Sequence, residues 1–194
     1  MKKKFLILCT IAAIVLGSLF FIYKPEKNTA QVDVLSQIDN YQQRYFTIIK
    51  RNDLFVDSEK YSKQDRKDLD KLYKEVIKQI DSNNIYYKKY KQNEHEYENP
   101  KVELETTVQM DNYAIAHYKK VDSLLNEVYK EVKTKITPQE FEKLKTSEKK
   151  WLKEVEDYYE VFESQEFGTI GTVIYYGYQI DMREFRTLLL MLYL

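Results

Sequence analysis

TPQEFEKLKTSEKKWLKEVEDYYEVF, residues 137–162, is the stretch from which the fold is read. Its first four residues form a capping box. The Thr137 hydroxyl can accept from the amide of Glu140, and the Glu140 carboxylate can accept from the amide of Thr137. Pro138 falls at the first helical position, where a missing N–H costs nothing. Apolar residues follow at Phe141, Leu144, Trp151, Val155, Tyr158 and Phe162, a spacing of three, four and seven that lines one helical face. Glu148 is the one interruption in that stripe. Trp151 is the only tryptophan. At mid-helix its large indole is expected to anchor a core against neighbouring helices.

The rest of the composition agrees with helices. The 194 residues include only four Gly and three Pro, too few for the turns of a β-rich fold. Lys+Arg and Asp+Glu are both 31. This balance argues against nucleic-acid binding, which draws on a basic excess. A single Cys makes no intrachain disulfide. The 18 Tyr suit positions with one dry side and one wet side.

Residues 1–23 have the pattern of a targeting segment. Lys2, Lys3 and Lys4 precede nineteen uncharged residues, Phe5–Tyr23. As a helix this run is ~28 Å long, close to the ~30 Å hydrocarbon core. The leading lysines favour a cytoplasmic N-terminus. Small residues at a cleavage site are missing from Phe20-Phe21-Ile22-Tyr23, so an uncleaved signal anchor is the favoured reading and a cleaved signal peptide the alternative. Cys9 comes too early for a lipoprotein site.

Beyond a short linker, Val34, Ile38, Tyr41, Tyr45 and Ile48 mark a helix within 31–50. A second, starting near Ser62, carries Leu69, Leu72, Val76 and Ile80. Ile85–Glu98 has only a faint apolar face, and Asn99-Pro100 ends it. A helix over about Thr107–Lys133 carries Tyr118, Val121, Leu125, Val128 and Val132, and hairpins into the 137 helix. Ser164–Thr172, with Gly168 and Gly171, is expected to be a loop with a turn of positive φ. Val173–Leu194 closes the chain with Tyr178, Met182, Phe185, Leu189 and Leu192. Its apolar end is too short to span a bilayer and is expected to lie between the other two C-terminal helices. The fold class expected is all-α: an N-terminal anchor helix (1–23), a helical spacer or pair (24–104), and an extracytoplasmic antiparallel helical domain (105–194).

Catalytic sets are missing. His95 and His117 have no metal-ligand spacing, and His117, next to Tyr118, is expected to be partly exposed. The sequence has neither a Gly-x-Ser-x-Gly elbow nor a phosphate or dinucleotide loop. No catalytic residue, metal or cofactor is expected. One polar cluster stands out: Glu154, Glu156, Asp157, Glu160, Glu163 and Glu166 follow Trp151 with no basic residue from 154 to 166. Such a face is either simply solvated or a docking patch for a basic protein.

Residues 110–190 resemble the LprI-like lysozyme-inhibitor family of bacterial envelope proteins. The resemblance rests on Met110, then Asp122-Ser-Leu-Leu125-Asn126-Glu-Val-Tyr129, then Ser147-Glu-Lys-Lys-Trp151, then Gly168–Gly171, then Arg183-Glu-Phe-Arg186-Thr. It implies lysozyme inhibition and matches Asp122, Leu125, Asn126, Tyr129, Gly168, Gly171 and Arg186 to family positions. These are expected to be structural, through a buried Asp122–Arg186 pair or an Asn126 network joining three helices. Where the family has cysteines, this chain has Tyr113, Tyr159 and, nearby, Tyr178, so helix packing alone must hold the domain. The partner-binding candidates are Trp151, Glu154, Asp157, Glu160 and Glu163, facing a protein partner such as a basic lysozyme. Membrane contact is expected through residues 5–23. A non-enzymatic envelope interaction module without a lysozyme target is the alternative.

Overall fold

The computed structural model describes residues 33–51, 63–163 and 168–194. The proposed anchor, residues 1–23, lies outside them. Six α-helices make up the described fold: α1 (Val34–Arg51), α2 (Lys63–Ile77), α3 (Ile85–Glu98), α4 (Thr107–Lys135), α5 (Pro138–Glu163) and α6 (Gly171–Leu190). Short 3-10 turns, Gly168–Ile170 and Met191–Tyr193, flank α6. No helix among the described residues is long and apolar enough to cross a membrane.

Local signals set the starts of three helices. Thr137 Oγ1 accepts from the Glu140 amide at 3.2 Å, and Glu140 Oε2 accepts from the Thr137 amide at 2.8 Å. The same device opens α4, where Thr106 Oγ1 accepts from the Gln109 amide at 3.2 Å and Gln109 Oε1 accepts from the Thr106 amide at 3.0 Å. Asn84 caps α3 by accepting from the amides of Tyr86 and Tyr87. Gly168 takes a φ of 59°, the left-handed turn that glycine makes without strain. Helix α6 begins at Gly171, two residues before the expected start.

The Thr137 box carries a prediction. Thr137→Ala should destabilise the fold by about 1 kcal/mol, read by urea denaturation. Hydrogen bonds from the Thr137 amide and hydroxyl hold the Glu140 carboxyl below its ordinary value. The folded pKa is thus the lower one. This contribution is present above the unfolded carboxylate range and fades as pH falls through the folded value. The Thr137→Ala deficit should therefore shrink in acid.

Helix α6 is the axis of the bundle. Phe185, Leu188, Leu189 and Leu190 are fully buried, and Ile180, Met182 and Met191 nearly so. It packs on α1, α2, α4 and α5, most extensively on α4. The expected burial between two helices is thus burial among four. Phe185 stacks on Tyr45 of α1 at 4.6 Å and meets Tyr73 of α2 at 4.9 Å. Ile38, Leu72 and Val76 join the same core as Leu144, Trp151 and Val128. The helices of 33–99 therefore share one hydrophobic interior with the C-terminal helices. The faint face of α3 buries Tyr90 alone.

Candidate partner-binding face and the network beneath it

The helical repeat of α5 divides the residues around Trp151 between surface and interior. Glu156, Asp157 and Glu160 project into solvent. Asp157 accepts from Lys153 one turn back at 3.0 Å, an exposed pair of small energetic weight. Glu154 is half-buried and pairs with Lys50 of α1 at 2.7 Å. It is thus tied to a neighbouring helix. The side chains of Glu163 and Glu166 lie outside the described residues. Trp151 is only 3% exposed and faces the core. Of the partner-binding candidates, then, Asp157 and Glu160, joined by Glu156, occupy the outward face. Trp151 supports that face from below.

Beneath it lies a polar network that joins three helices. Arg186 of α6 has no solvent exposure. Its Nε and Nη2 both donate to Glu148 Oε1, at 3.0 and 2.7 Å. Nη2 also donates to Ser147 Oγ at 2.9 Å, and Nη1 reaches Gln42 Oε1 of α1 at 3.5 Å. Ser147 passes its own hydrogen to Asp39 of α1 at 2.6 Å. The guanidinium carbon lies 5.9 Å from the Trp151 ring centroid, within cation–π range. Glu148, the interruption in the apolar stripe, is therefore the counter-ion of a buried arginine.

Two expectations about the family-matched residues are corrected here. Asp122 pairs with Arg183, whose Nε donates to Oδ1 at 2.9 Å, and not with Arg186. Arg183 also caps Gln179 through its side-chain oxygen and carbonyl, and stacks over Tyr118 at 4.6 Å. Among the described residues Asn126 joins no three-helix network. It is exposed, and its amide donates back to Asp122 within α4, to the carbonyl at 2.8 Å and to Oδ2 at 3.1 Å. Leu125 is a core residue, and half-buried Tyr129 tilts onto Phe141 at 5.7 Å. Loss of water around Tyr129 pushes its hydroxyl pKa above the ordinary value.

His117 also differs from expectation. It is 4% exposed, stacked on Tyr97 at 4.2 Å, with Nε2 3.6 Å from Glu184 Oε1. The α4 stripe is wider than its aliphatic residues indicate and takes in Ala114 and His117. Among the described residues no group of three His, Cys, Asp or Glu could hold a metal ion. Tyr113, Tyr159 and Tyr178 make hydrogen-bond and aromatic contacts between helices. Tyr113 Oη donates to the carbonyls of Glu96 and Tyr97 at 2.5 and 3.2 Å. Tyr159 meets Tyr175 edge-on at 5.0 Å, and Tyr178 meets Tyr158 at 5.8 Å.

Residues 98–190 match the family model described as Lysozyme inhibitor LprI. No curated protein and no solved structure matches the chain.

Proposed function

We propose that the chain is a non-enzymatic inhibitor of a basic lysozyme-type muramidase, a reading supported by the match of residues 98–190 to the family model described as Lysozyme inhibitor LprI. The exposed face of α5 docks on the enzyme and occludes its cleft. The observation that carries this reading is the outward placement of Glu156, Asp157 and Glu160 on a helix that the Arg186 network pins to α1 and α6. A rigid acidic face meets a cationic enzyme without reorganising, and opposite charges orient the encounter and speed it. The proposal includes a single-pass anchor at residues 5–23 that holds the domain outside the cytoplasm, with secretion after cleavage as the alternative.

The test is inhibition of a basic lysozyme on a cell-wall suspension at low and physiological salt. Inhibition should be dose-dependent and weaken as salt rises, because exposed charges are screened over ~8–10 Å. Reversing Glu156, Asp157 and Glu160 to Lys should weaken it on the order of tenfold or more, at ~0.2–1 kcal/mol for each exposed charge. Inhibition untouched by salt and by these reversals removes the α5 face from the account. No inhibition of several lysozymes by helical, folded protein favours the envelope interaction module.

A further inference from the structure

The outward stripe of α5 carries a charge pattern that local helix rules disfavour. Lys145, Lys149, Leu152, Glu156 and Glu160 follow one another at spacings of four, three, four and four. At ~3.6 residues per turn they fall within roughly a quarter-turn of one another. All five reach solvent. Leu152 is 51% exposed, the Lys145 side chain 42%, and Lys149, Glu156 and Glu160 are exposed. Lys145 and Lys149 are like charges one turn apart, as are Glu156 and Glu160, and such pairs repel. Glu160 stands in the last turn, which has no basic residue, and so opposes the helix dipole. Lys145 pairs with Glu142 at 3.0 Å, but Lys149, Glu156 and Glu160 join no ion pair among the described residues. A helix that met only water would gain by mixing these signs.

Segregated in this way, the stripe is complementary to itself. From its N-terminal end it runs base, base, Leu, acid, acid, and reversed it runs acid, acid, Leu, base, base. A two-fold axis between Leu152 and Lys153 sets Lys149 opposite Glu156 and Lys145 opposite Glu160, each pair twice, with the two Leu152 side chains at the centre. This is an isologous contact, in which residue i meets j and j meets i. We propose that the α5 stripe binds a second copy of this chain, α5 against α5 and antiparallel. Charge complementarity singles out this occupant. A different protein would have to carry the same stripe reversed, and the chain supplies it by symmetry. Basic and acidic residues are both 31, so whole copies do not repel at long range. The pairing also brings Lys145 of the second copy to Glu160, where the helix dipole is least favourable to a carboxylate. With one exposed leucine per copy at its centre, the contact belongs to the weak, salt-sensitive class. It does not rest on the lysozyme reading. Where both hold, Glu156 and Glu160 serve one occupant at a time, and self-association masks the inhibitory face.

The test is a charge exchange on the full chain in mild detergent, read by sedimentation equilibrium. The unsubstituted chain should form dimers as its concentration rises and lose them as salt rises. Lys145→Glu/Lys149→Glu and Glu156→Lys/Glu160→Lys should each weaken self-association about tenfold or more, because every cross-pair becomes a repulsion. Mixed one to one, the two variants should pair with each other at least as well as the unsubstituted chain pairs with itself. Leu152→Cys, in a chain freed of its single cysteine by Cys9→Ser, should cross-link between copies on oxidation. A chain that stays monomeric at low salt overturns the proposal. So do dimers that ignore both reversals, a mixture that pairs no better than its components, or dimers that fail to cross-link at 152. If either variant loses its helical circular dichroism, the salt dependence and the cross-link decide. The Lys145→Glu/Lys149→Glu chain keeps Glu156, Asp157 and Glu160, so it separates loss of the dimer from loss of lysozyme inhibition.

Discussion

Glu148→Ala should lower the stability of the folded chain by about 3–5 kcal/mol, because it leaves the Arg186 guanidinium buried without its counter-ion. Arg186 has no exposure, and two of its nitrogens converge on one Glu148 oxygen. The remaining acceptors, Ser147 Oγ and Gln42 Oε1, are neutral. A domain of this size is held by roughly 5–15 kcal/mol, so the loss is a large fraction of the whole. Urea denaturation of the purified variant measures it. Glu148→Gln keeps an acceptor and should lose less. The double variant Glu148→Leu/Arg186→Met should recover much of the deficit, since replacing a buried pair by apolar residues of similar volume is often neutral. A Glu148→Ala loss below about 1 kcal/mol would show that water reaches Arg186 and that the network does not pin α5 to α6.

The second large effect concerns residues ahead of the family match. A fragment of residues 98–194 should fail to fold cooperatively. Helix α6 would lose its α1 and α2 neighbours, and with them the covers of Phe185. The buried faces of Ile38, Tyr45, Leu72 and Val76 would be missing from the one core. The fragment should show helical circular dichroism with a broad unfolding transition and dye binding to exposed apolar surface. The chain with α1–α3 should instead unfold in one sharp transition. Phe185→Ala in that chain should cost about 3–5 kcal/mol, as for other buried aromatic truncations. A fragment that unfolds as sharply as the longer chain would place the core entirely within α4–α6.

What the sequence makes legible is what is local. The Thr137 box, the stripe of α5 and the Gly168 turn depend on residues within a few positions of one another, and each is found where its pattern places it. The polar pairs depend on helix register, which apolar periodicity does not encode. Glu148 finds its partner 38 positions away and Glu154 finds Lys50 across 104. Asp122 meets Arg183 and misses Arg186 because α4 passes α6 one turn from the expected register. The Thr106 box and the Asn84 cap were both available as local signals, in Thr106–Gln109 and in the Asn ahead of Ile85. The burial of His117 and Tyr90 has a different cause. Their amphipathic rings blur an apolar stripe even where neighbouring helices cover them.

Tyr113 and Tyr159 tie helices together through contacts that place no redox requirement on the surroundings. A disulfide forms only where an oxidant accepts the electrons, and its stability follows the thiol poise of the compartment. Tyr113 on the Glu96 and Tyr97 carbonyls, and Tyr159 against Tyr175, form by packing alone. These contacts need no isomerase and cannot be scrambled by a reductant. The described helices should therefore fold equally well in reducing and oxidising media.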